Sequence, residues 1–422
     1  MSDDLKMETS SSSWTKRDYL HIVLAVLIKF GDGVEIYLPG VITQLASCEL
    51  GLSPLQEGFL AVILFVFFAV AIMTAVPLSN RFGERFILLL SLYTSILFAV
   101  LCAVVPNYWT LLLSRALIGL CVGLNSATIG VFISKNASSK EVATLSSFIQ
   151  GSIAFTLGGG WVSILGWLIL DIVSWREFVL YTSIPVFLPP IIMLHLLIKD
   201  DPASNSTTLT ETDRLIEQKV TTVSNFTTRV IKAALFVSSN VCIGYGSIIL
   251  LPSVIRSYKE DSLDLVDGAT ELDRCQTAVQ GNDLLIIAAV TGGSNVIGRP
   301  LGYLLRKIIP FRALQSVVAL ITALSYGILL ANPGLAIASV LMGIGKLSYS
   351  IQGAEASILP FDLAYFGSTY FALGAGIVSS TGMLGAILGT SLAAFCAPNV
   401  AVLVTLMISI TQVIVICAMT DR

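Results

Sequence analysis

Residues 25–44 read AVLIKFGDGVEIYLPGVITQ, and this stretch decides how the rest of the chain is interpreted. It is apolar enough to span a bilayer as a helix, yet Lys29, Asp32 and Glu35 lie in its interior. An ionised side chain at that depth costs roughly 2.5–3.5 kcal/mol on insertion scales, so each one requires a partner or a wet cavity. On a helix, Lys29 and Asp32 can pair locally, which leaves Glu35 in need of a cation from another helix. The three charges are therefore either structural, held in a helix interface, or part of a substrate or proton site.

The composition identifies the class of protein. Of 422 residues, 55% are hydrophobic and only 12% are charged, whereas soluble domains carry about 25% charged residues. The sequence therefore predicts an all-α membrane protein with many spans. A net charge of −3 argues against nucleic acid as a partner. Two histidines and seven scattered cysteines argue against a metal site or a Cys/His nucleophile, so we expect no cofactor and no enzymatic activity.

The apolar runs predict twelve membrane-spanning helices, at about 20 apolar residues per span. The polar segment 199–229 divides them into two six-helix bundles, 19–198 and 230–419, and residues 1–18 form an N-terminal tail. The predicted spans are 19–45, 55–78, 86–105, 108–133, 146–169, 178–198, 230–255, 283–305, 312–331, 335–359, 368–393 and 398–419.

The distribution of basic residues predicts the orientation. Sixteen of the 24 Lys and Arg residues fall on the side of the two termini, and the opposite side holds only Arg176, Arg256, Lys259 and Arg274. Because Lys and Arg accumulate in cytoplasmic loops, we expect both termini, the tail and the 199–229 loop to be cytoplasmic. Cys48 and Cys275 both fall on the opposite side, where they either form a bridge or remain two free thiols.

A further cation interrupts each of two later spans. Arg115 in the fourth span is followed by Gly119 and Gly123, a spacing that lets a neighbouring helix pack closely. If the first and fourth spans are adjacent, Asp32 and Glu35 are natural partners for Arg115. Such an ion pair is either a permanent structural bridge or one that breaks when a proton or a solute arrives.

Lys346 in the tenth span is the counterpart of Arg115 in the second half. One cation beside small residues in each half is a weak internal repeat, of the kind expected when two bundles rock about a midplane site. Glu355 and Asp362 bracket the cytoplasmic end of the tenth span, and either acid could form a gating salt bridge. Asp362 is alternatively a solvated charge at the helix end. No phosphate-binding loop is present in the sequence, which argues against an ATP-driven pump.

These motifs together resemble the major facilitator superfamily, in particular its branch of synaptic vesicle 2-related proteins and organic ion transporters, over residues 19–420. The segments that carry the resemblance are GDGVEIYLPGVI (31–42), LSNRFGER (78–85), RALIGLCVG (115–123) and ALGAGIVSSTGMLGAILG (372–389). The resemblance implies twelve transmembrane helices in two six-helix bundles, the major facilitator fold. It also implies a cytoplasmic gate formed by Arg81, Gly83, Arg85 and Asp362.

The chain departs from the family pattern at several positions, and three of them concern the gate and the solute. Val76 and Asn80 stand where the loop after the second helix has a Gly and an Asp in the family. Met383 stands where organic cation carriers tend to have an acid and organic anion carriers an Arg. The charge of the solute therefore stays open, as does the gate.

The resemblance implies secondary active transport of a small organic solute by alternating access. From the residues, we expect Asp32 or Glu35 to exchange a proton or an ion pair with Arg115, which would make the transport proton-coupled. The expected partners are the solute, protons and the lipid bilayer, and the protein is expected to be a monomer. The alternative is a non-transporting vesicle receptor or scaffold, and both a vesicle and the plasma membrane fit the sequence. The predicted substrate and coupling residues are Lys29, Asp32, Glu35, Arg115, Lys346 and Glu355.

Overall fold

The computed structural model describes residues 15–136, 138, 142, 145–146, 149–197, 226–263, 282–358 and 371–419. Within these residues the chain forms twelve helices, as predicted. The helices are α1 (Lys16–Leu50), α2 (Pro54–Phe82), α3 (Glu84–Ala103), α4 (Tyr108–Asn136), α5 (Phe155–Ile169, preceded by the π-helical segment Ile149–Ala154), α6 (Trp175–Leu196), α7 (Phe226–Leu263), α8 (Asn282–Ile287, the π-helical segment Ala288–Gly293 and Ser294–Leu305), α9 (Phe311–Leu329), α10 (Leu335–Ile358), α11 (Phe371–Phe395) and α12 (Pro398–Ala418).

Most of these helices have the length and composition of membrane spans. Among the described residues, nine helices are long and apolar enough to cross a membrane, and shorter apolar helices cover Phe155–Ile169 and Ser380–Phe395. The opening helix α1, whose interior carries Lys29, Asp32 and Glu35, is not one of the nine. The charges in the interior of α1 are therefore the ones that need an explanation.

Two helices extend clearly beyond their predicted boundaries. The expected start of α1 at 19 is wrong, because the helix begins at Lys16. Thr15 caps it: the Thr15 hydroxyl accepts a hydrogen bond from the amide of Asp18 at 3.2 Å, and the Asp18 carboxylate accepts one from the amide of Thr15 at 2.9 Å. This capping box satisfies amides that the helix itself leaves unpaired. Likewise, α7 begins at Phe226 rather than 230 and continues to Leu263 rather than 255.

Contacts at the helix ends define a terminal face, where α1 begins and α12 ends. The Asp18 carboxylate also accepts hydrogen bonds from the amide of Ser138 at 3.0 Å and from its hydroxyl at 2.7 Å. Desolvation alone would raise the pKa of Asp18, but these bonds and those from Thr15 outweigh it and hold the pKa well below its usual range. The start of α1 is therefore tied to the segment that follows α4.

The opposite face, called the far face below, has its own ties. Arg176 at the start of α6 pairs with Glu49 near the end of α1, at 2.9 Å between Nη2 and Oε1. Cys48, the neighbour of Glu49, is disulfide-bonded, which excludes a free thiol at that position. Cys275, its partner in one of the two alternatives, lies outside the described residues.

The six helices of each half pack in the same pattern. In the first half, α1 contacts α4, α5 and α6, α2 contacts α4, and α3 contacts α4 and α6. In the second half, α7 contacts α10, α11 and α12, α8 contacts α10, and α9 contacts α10 and α12. Each of these six contacts of the first half has its counterpart in the second, found by adding six to both helix numbers. The two halves meet where α2 contacts α11 and where α5 contacts α8. These two contacts are equivalent to each other, because α8 is the counterpart of α2 and α5 is the counterpart of α11.

Glycines allow one equivalent pair of helices in each half to pack closely. Between α1 and α5, a Cβ on Gly33 or Gly158 would lie 2.0 or 2.2 Å from a carbonyl oxygen of the facing helix. Between α7 and α11, a Cβ on Gly385 or Gly389 would lie 2.2 or 2.1 Å from such an oxygen. Backbones can approach this closely only where small residues line the contact. The same device therefore joins the equivalent helices of both bundles.

Candidate functional site

A cavity of about 190 Å³ lies between the two bundles. Its described lining comes from α1, α2, α4 and α5 of the first half and from their equivalents α7, α8, α10 and α11 of the second. It combines cations, amides, a hydroxyl and aromatic rings, so it suits a ligand with both polar and apolar parts. These polar and aromatic residues are Lys29, Tyr37, Phe68, Ser126, Phe155, Asn240, Tyr245, Asn295, Arg299, Lys346 and Tyr349.

One repeated sequence builds the walls that α1 and α7 contribute. Residues 31–39 read GDGVEIYLP and residues 244–252 read GYGSIILLP, so two glycines and a Leu-Pro pair recur at the same spacing. In this register Asp32 corresponds to Tyr245, and Glu35 corresponds to Ile248. A smaller cavity of about 130 Å³ is lined by both Pro39 and its equivalent Pro252. The repeat could have been read from the sequence, and it is stronger than the similarity between Arg115 and Lys346.

Lys29 and Asp32 form a charged pair at the edge of the central cavity. Lys29 Nζ lies 3.8 Å from Asp32 Oδ2, and it donates hydrogen bonds to the carbonyl oxygen of Ser126 at 3.3 Å and to the Ser126 hydroxyl. Asp32 Oδ1 accepts a bond from Asn125 Nδ2 at 3.3 Å. The Lys29 side chain is 12% exposed and lines the cavity, whereas that of Asp32 is 1% exposed. Lys29 therefore stands between the Asp32 carboxylate and the cavity.

Glu35 and Arg115 form a second pair, inside the first bundle. Arg115 Nη1 donates to Glu35 Oε2 at 3.3 Å, and the two side chains are 2% and 0% exposed. Gly119 allows the close packing that its spacing predicts, because a Cβ there would lie 2.3 Å from a carbonyl oxygen of α2. Neither Glu35 nor Arg115 is among the residues that line the cavity. The expected contact between α1 and α4 exists, but it lies buried in a helix interface and not in the lining of the central cavity.

Helix geometry explains why Glu35 misses the cavity. Lys29 and Tyr37 mark the face of α1 that lines the cavity. At about 100° per residue, Glu35 lies on the opposite face of the same helix. Asp32 lies between these two faces, which is why it contacts Lys29 on one side and Asn125 of α4 on the other.

Lys346 of α10 is buried in the wall of the second bundle. Its Nζ donates hydrogen bonds to the carbonyl oxygen of Gly244 and to the hydroxyl of Ser247, both at 2.7 Å and both on α7. The same nitrogen lies 4.7 Å from the centre of the Tyr349 ring. Among the described side chains, Lys346 pairs with no carboxylate.

The expected correspondence between Arg115 and Lys346 is only partial. Both cations bind to the opening helix of their own half: Arg115 contacts α1, and Lys346 contacts α7. In the repeat, however, Gly244 corresponds to Gly31, which is about one helical turn from Glu35. The second acceptor of Lys346, Ser247, corresponds to Val34, the neighbour of Glu35. The two cations therefore bind different positions of the repeat, and of the two only Lys346 lines the cavity.

The predicted gate residues that the structure describes lie on the terminal face. Gly83 joins α2 to α3 with a φ of 86°, a conformation that favours glycine. Arg85 donates from Nε and Nη2 to the carbonyl oxygen of Leu194, at 3.1 and 2.8 Å, and so ties α3 to α6. Arg81 is exposed and lies over the adjacent ring of Phe82. Asp362 lies outside the described residues and the side chain of Glu355 is not described, so the gate stays a prediction.

Several lining residues were missed in the sequence. Arg299 and Asn295 lie within a predicted span, and an intramembrane Arg is a signal of a functional site that the sequence did offer. From the sequence, Tyr37, Tyr245 and Tyr349 are possible pore-lining residues for which ordinary packing is the preferred interpretation, and Phe155 carries no signal. Tyr37, Phe155 and Tyr245 come from three helices, and their ring centres lie 6.0 Å (Tyr37–Phe155) and 6.3 Å (Phe155–Tyr245) apart. We call these three residues the aromatic wall.

Comparison with known proteins gives matches over most of the chain. The family model of the Major Facilitator Superfamily matches residues 25–390. A D-xylose transporter of Levilactobacillus brevis is 36% identical over 104 residues, which are 24% of this chain and 22% of that protein. Synaptic vesicle glycoprotein 2A of Rattus norvegicus is 26% identical over 185 residues, 41% of this chain and 24% of that protein. The matched segments thus span less than a quarter of either relative.

The fold is also similar to that of a solved transporter. The crystal structure of a D-xylose-proton symporter superposes with a TM-score of 0.71, covering 94% of this chain and 97% of that chain. The sequence identity in this superposition is 15%, so the similarity concerns the fold. It confirms the prediction of twelve helices in two bundles.

Proposed function

Because the chain belongs to the Major Facilitator Superfamily, we propose that it carries a small organic solute across a membrane by alternating access to its central cavity. The observation that supports this most directly is the lining of the cavity, which comes from four helices of each bundle. A solute bound there contacts both bundles. Rocking one bundle against the other can then change the face to which the solute is exposed.

Contacts between the bundles on the far face support a state that is closed on that side. Arg256 of α7 pairs with Glu57 of α2, at 3.4 Å between Nη1 and Oε2. The rings of Phe59 and Phe395 lie 5.2 Å apart, between α2 and α11. For the solute to reach the far face, these contacts have to separate. We assign the terminal face to the cytoplasm on the basis of its excess of basic residues.

We place proton coupling at the Lys29–Asp32 pair rather than at Glu35 and Arg115, because only the former borders the cavity. Asp32 Oδ2 accepts no hydrogen bond from any described residue and depends on Lys29 for compensation. A solute that draws Lys29 into the cavity would leave the carboxylate buried without its cation. A buried carboxylate in that state favours its protonated form. Solute binding and protonation of Asp32 would then be linked.

The test is uptake into proteoliposomes that hold the purified full chain, with panels of sugars, carboxylates and amines under an imposed proton gradient. We expect accumulation of at least one solute. Asp32→Asn should lose gradient-driven accumulation but keep exchange of solute across the membrane, since the cavity is retained. Asp171→Asn, at an exposed position after α5, is the matched control and should behave as wild type. Gradient-driven accumulation by Asp32→Asn at the wild-type level would contradict the coupling.

A second candidate function is a receptor or scaffold that keeps the transporter fold without transport. Two observations favour it: Val76 and Asn80 replace the family's residues in the gate loop, and part of the chain matches a synaptic vesicle glycoprotein. The same match supports assignment to the synaptic vesicle 2-related branch. Absence of uptake for every solute, in vesicles whose protein is folded and oriented, would favour this second function.

A further inference from the structure

The described wall of the central cavity carries cations without carboxylates. Lys29, Arg299 and Lys346 line it, and no acid is among the described residues that do so. The charge of Lys29 is compensated by Asp32 behind it, at 3.8 Å. Lys346 instead donates to two neutral oxygens of α7. A buried ammonium without a counter-charge is unfavourable until an anion approaches it.

The geometry at Lys346 leaves room for such an anion. An ammonium group has three N–H donors, and two of them are directed to the carbonyl oxygen of Gly244 and the hydroxyl of Ser247. The ammonium also lies over the Tyr349 ring, 4.7 Å from its centre, and no third oxygen acceptor bonds it among the described residues. One donor is therefore available to a group in the cavity, and the bonds to α7 hold the ammonium in place to meet it.

The rest of the lining suits an apolar body rather than a small hydrated ion. The aromatic wall of Tyr37, Phe155 and Tyr245 lies in the same cavity as Lys346, and Phe68 adds a further ring. Aromatic side chains gain stability by packing against flat apolar groups. A cavity of about 190 Å³ can hold a small organic ligand with an apolar body.

We infer that this cavity selects an organic monoanion, with a carboxylate on Lys346 and an aromatic or apolar body against the aromatic wall. The inference rests on the proposed function and gives it a substrate class. Met383, at the position where charge-selective carriers of the resembled branch have an ionisable residue, lines the same cavity. The charge that selects the solute is therefore supplied by α10 and not by α11.

The first test compares three probes with one ring and different charges: benzoate, benzamide and benzylamine. The purified full chain in lipid nanodiscs is titrated with each probe at constant ionic strength, and the midpoint of thermal unfolding is followed. Benzoate should raise the midpoint and benzylamine should not. Lys346→Gln should weaken benzoate binding by about tenfold or more, whereas Lys346→Arg should retain it. Lys307→Gln removes an exposed cation after α8 and should bind benzoate as wild type does.

Three outcomes of this test would overturn the inference. The first is that benzoate does not raise the unfolding midpoint, and the second is that benzylamine binds as well as benzoate. The third is that the Lys346→Gln variant binds benzoate with wild-type affinity. Failure of the inference is distinguishable from failure of the proposed function. Lys346-dependent benzoate binding without uptake of any solute would refute transport and keep the inference. Uptake of sugars or amines without benzoate binding would support transport and refute the inference.

A second measurement stays informative if Lys346→Gln does not fold. Met383→Cys, in a background with Cys396→Ser and Cys417→Ser, places one reactive thiol in the cavity lining. Its rates with anionic sulfonatoethyl and cationic trimethylammonioethyl methanethiosulfonate are compared with those of free cysteine in solution. The cavity should favour the anionic reagent by about tenfold relative to free cysteine. An equal or reversed preference would overturn the inference.

Discussion

In the first bundle the repeat GDGVEIYLP places Asp32 and Glu35 on α1, whereas in the second GYGSIILLP places Tyr245 and Ile248 at the same positions of α7. The glycines and the Leu-Pro pair are shared. Both bundles also join their equivalent helices through glycines that face a carbonyl oxygen. Backbone contacts thus set a framework common to both halves, and the charges are added to it differently.

The difference lies in how each bundle compensates its buried charge. In the first bundle each acid has a cation: Asp32 has Lys29 at 3.8 Å and Glu35 has Arg115 at 3.3 Å. In the second bundle Lys346 has neutral acceptors among the described residues. The comparison teaches that the first bundle is electrostatically complete without a ligand, while the second offers a charge to one. The following changes test that contrast, beginning with the largest expected effect.

Arg115→Ala should be the most damaging single change. It would leave Glu35 ionised and buried in a helix interface, which typically costs about 3–5 kcal/mol. We expect a large loss of folded protein in detergent, measured by size-exclusion chromatography and thermal unfolding. Adding Glu35→Gln should recover much of the loss, because the uncompensated charge is then gone. If the double variant is no more stable than Arg115→Ala, the uncompensated charge of Glu35 is not the cause of the lost stability.

Gly158→Ala and Gly389→Ala should destabilise the two bundles to a similar extent. A Cβ at either position would lie 2.2 or 2.1 Å from a backbone carbonyl oxygen, so the helices must separate, at a cost of about 1–3 kcal/mol. Thermal unfolding of the purified variants measures the effect. Gly130→Ala is the control, since a Cβ there has nothing within 4 Å. A strong effect in one half alone would argue against a shared framework.

Lys29→Met and Lys346→Met should differ in their effect on stability. Without Lys29, Asp32 loses its cation, which we expect to cost about 1–3 kcal/mol. Without Lys346, the carbonyl oxygen of Gly244 still accepts a hydrogen bond from the Ser247 hydroxyl at 2.7 Å, so no new unpaired group arises. We expect that variant to unfold within a few degrees of wild type or above it. Equal losses in both variants would remove the contrast between the bundles.

Arg256→Gln should have the smallest effect on stability. The Arg256 and Glu57 side chains are 41% and 21% exposed, and exposed pairs contribute about 0–1 kcal/mol. Thermal unfolding should shift only slightly, and less at high salt. The contact joins the two bundles at the far face, so its loss should alter access more than stability. A large fall in the unfolding midpoint would mean that the pair holds the bundles together.

Much of the fold could be predicted from the sequence because burial in a membrane leaves clear patterns. Twelve apolar runs predicted twelve helices, since a lipid-embedded backbone must satisfy its own hydrogen bonds. Gly119 and Gly123 predicted close packing of α4, and Lys29 predicted its local partner Asp32. These features depend on spacing within one helix or on the composition of one run, which a sequence displays directly.

The site was less predictable because it depends on how whole helices are rotated. Asp32 and Glu35 are three residues apart, yet Asp32 contacts a cavity-lining lysine while Glu35 faces away from the cavity. In the sequence both are acids within the same apolar run. Only the packing of α1 against its neighbours places one beside the cavity and the other away from it. The aromatic wall likewise joins rings from α1, α5 and α7, whose distance along the chain gives no hint of contact.

The sequence by itself determined that this protein is a helical membrane protein of two related halves, with charges that need partners inside it. The tertiary structure alone decided which charges are compensated and which face a solute. The reason is that hydropathy and glycine spacing act along one helix, whereas the compensation of a buried charge depends on which neighbouring helix brings an opposite charge within reach.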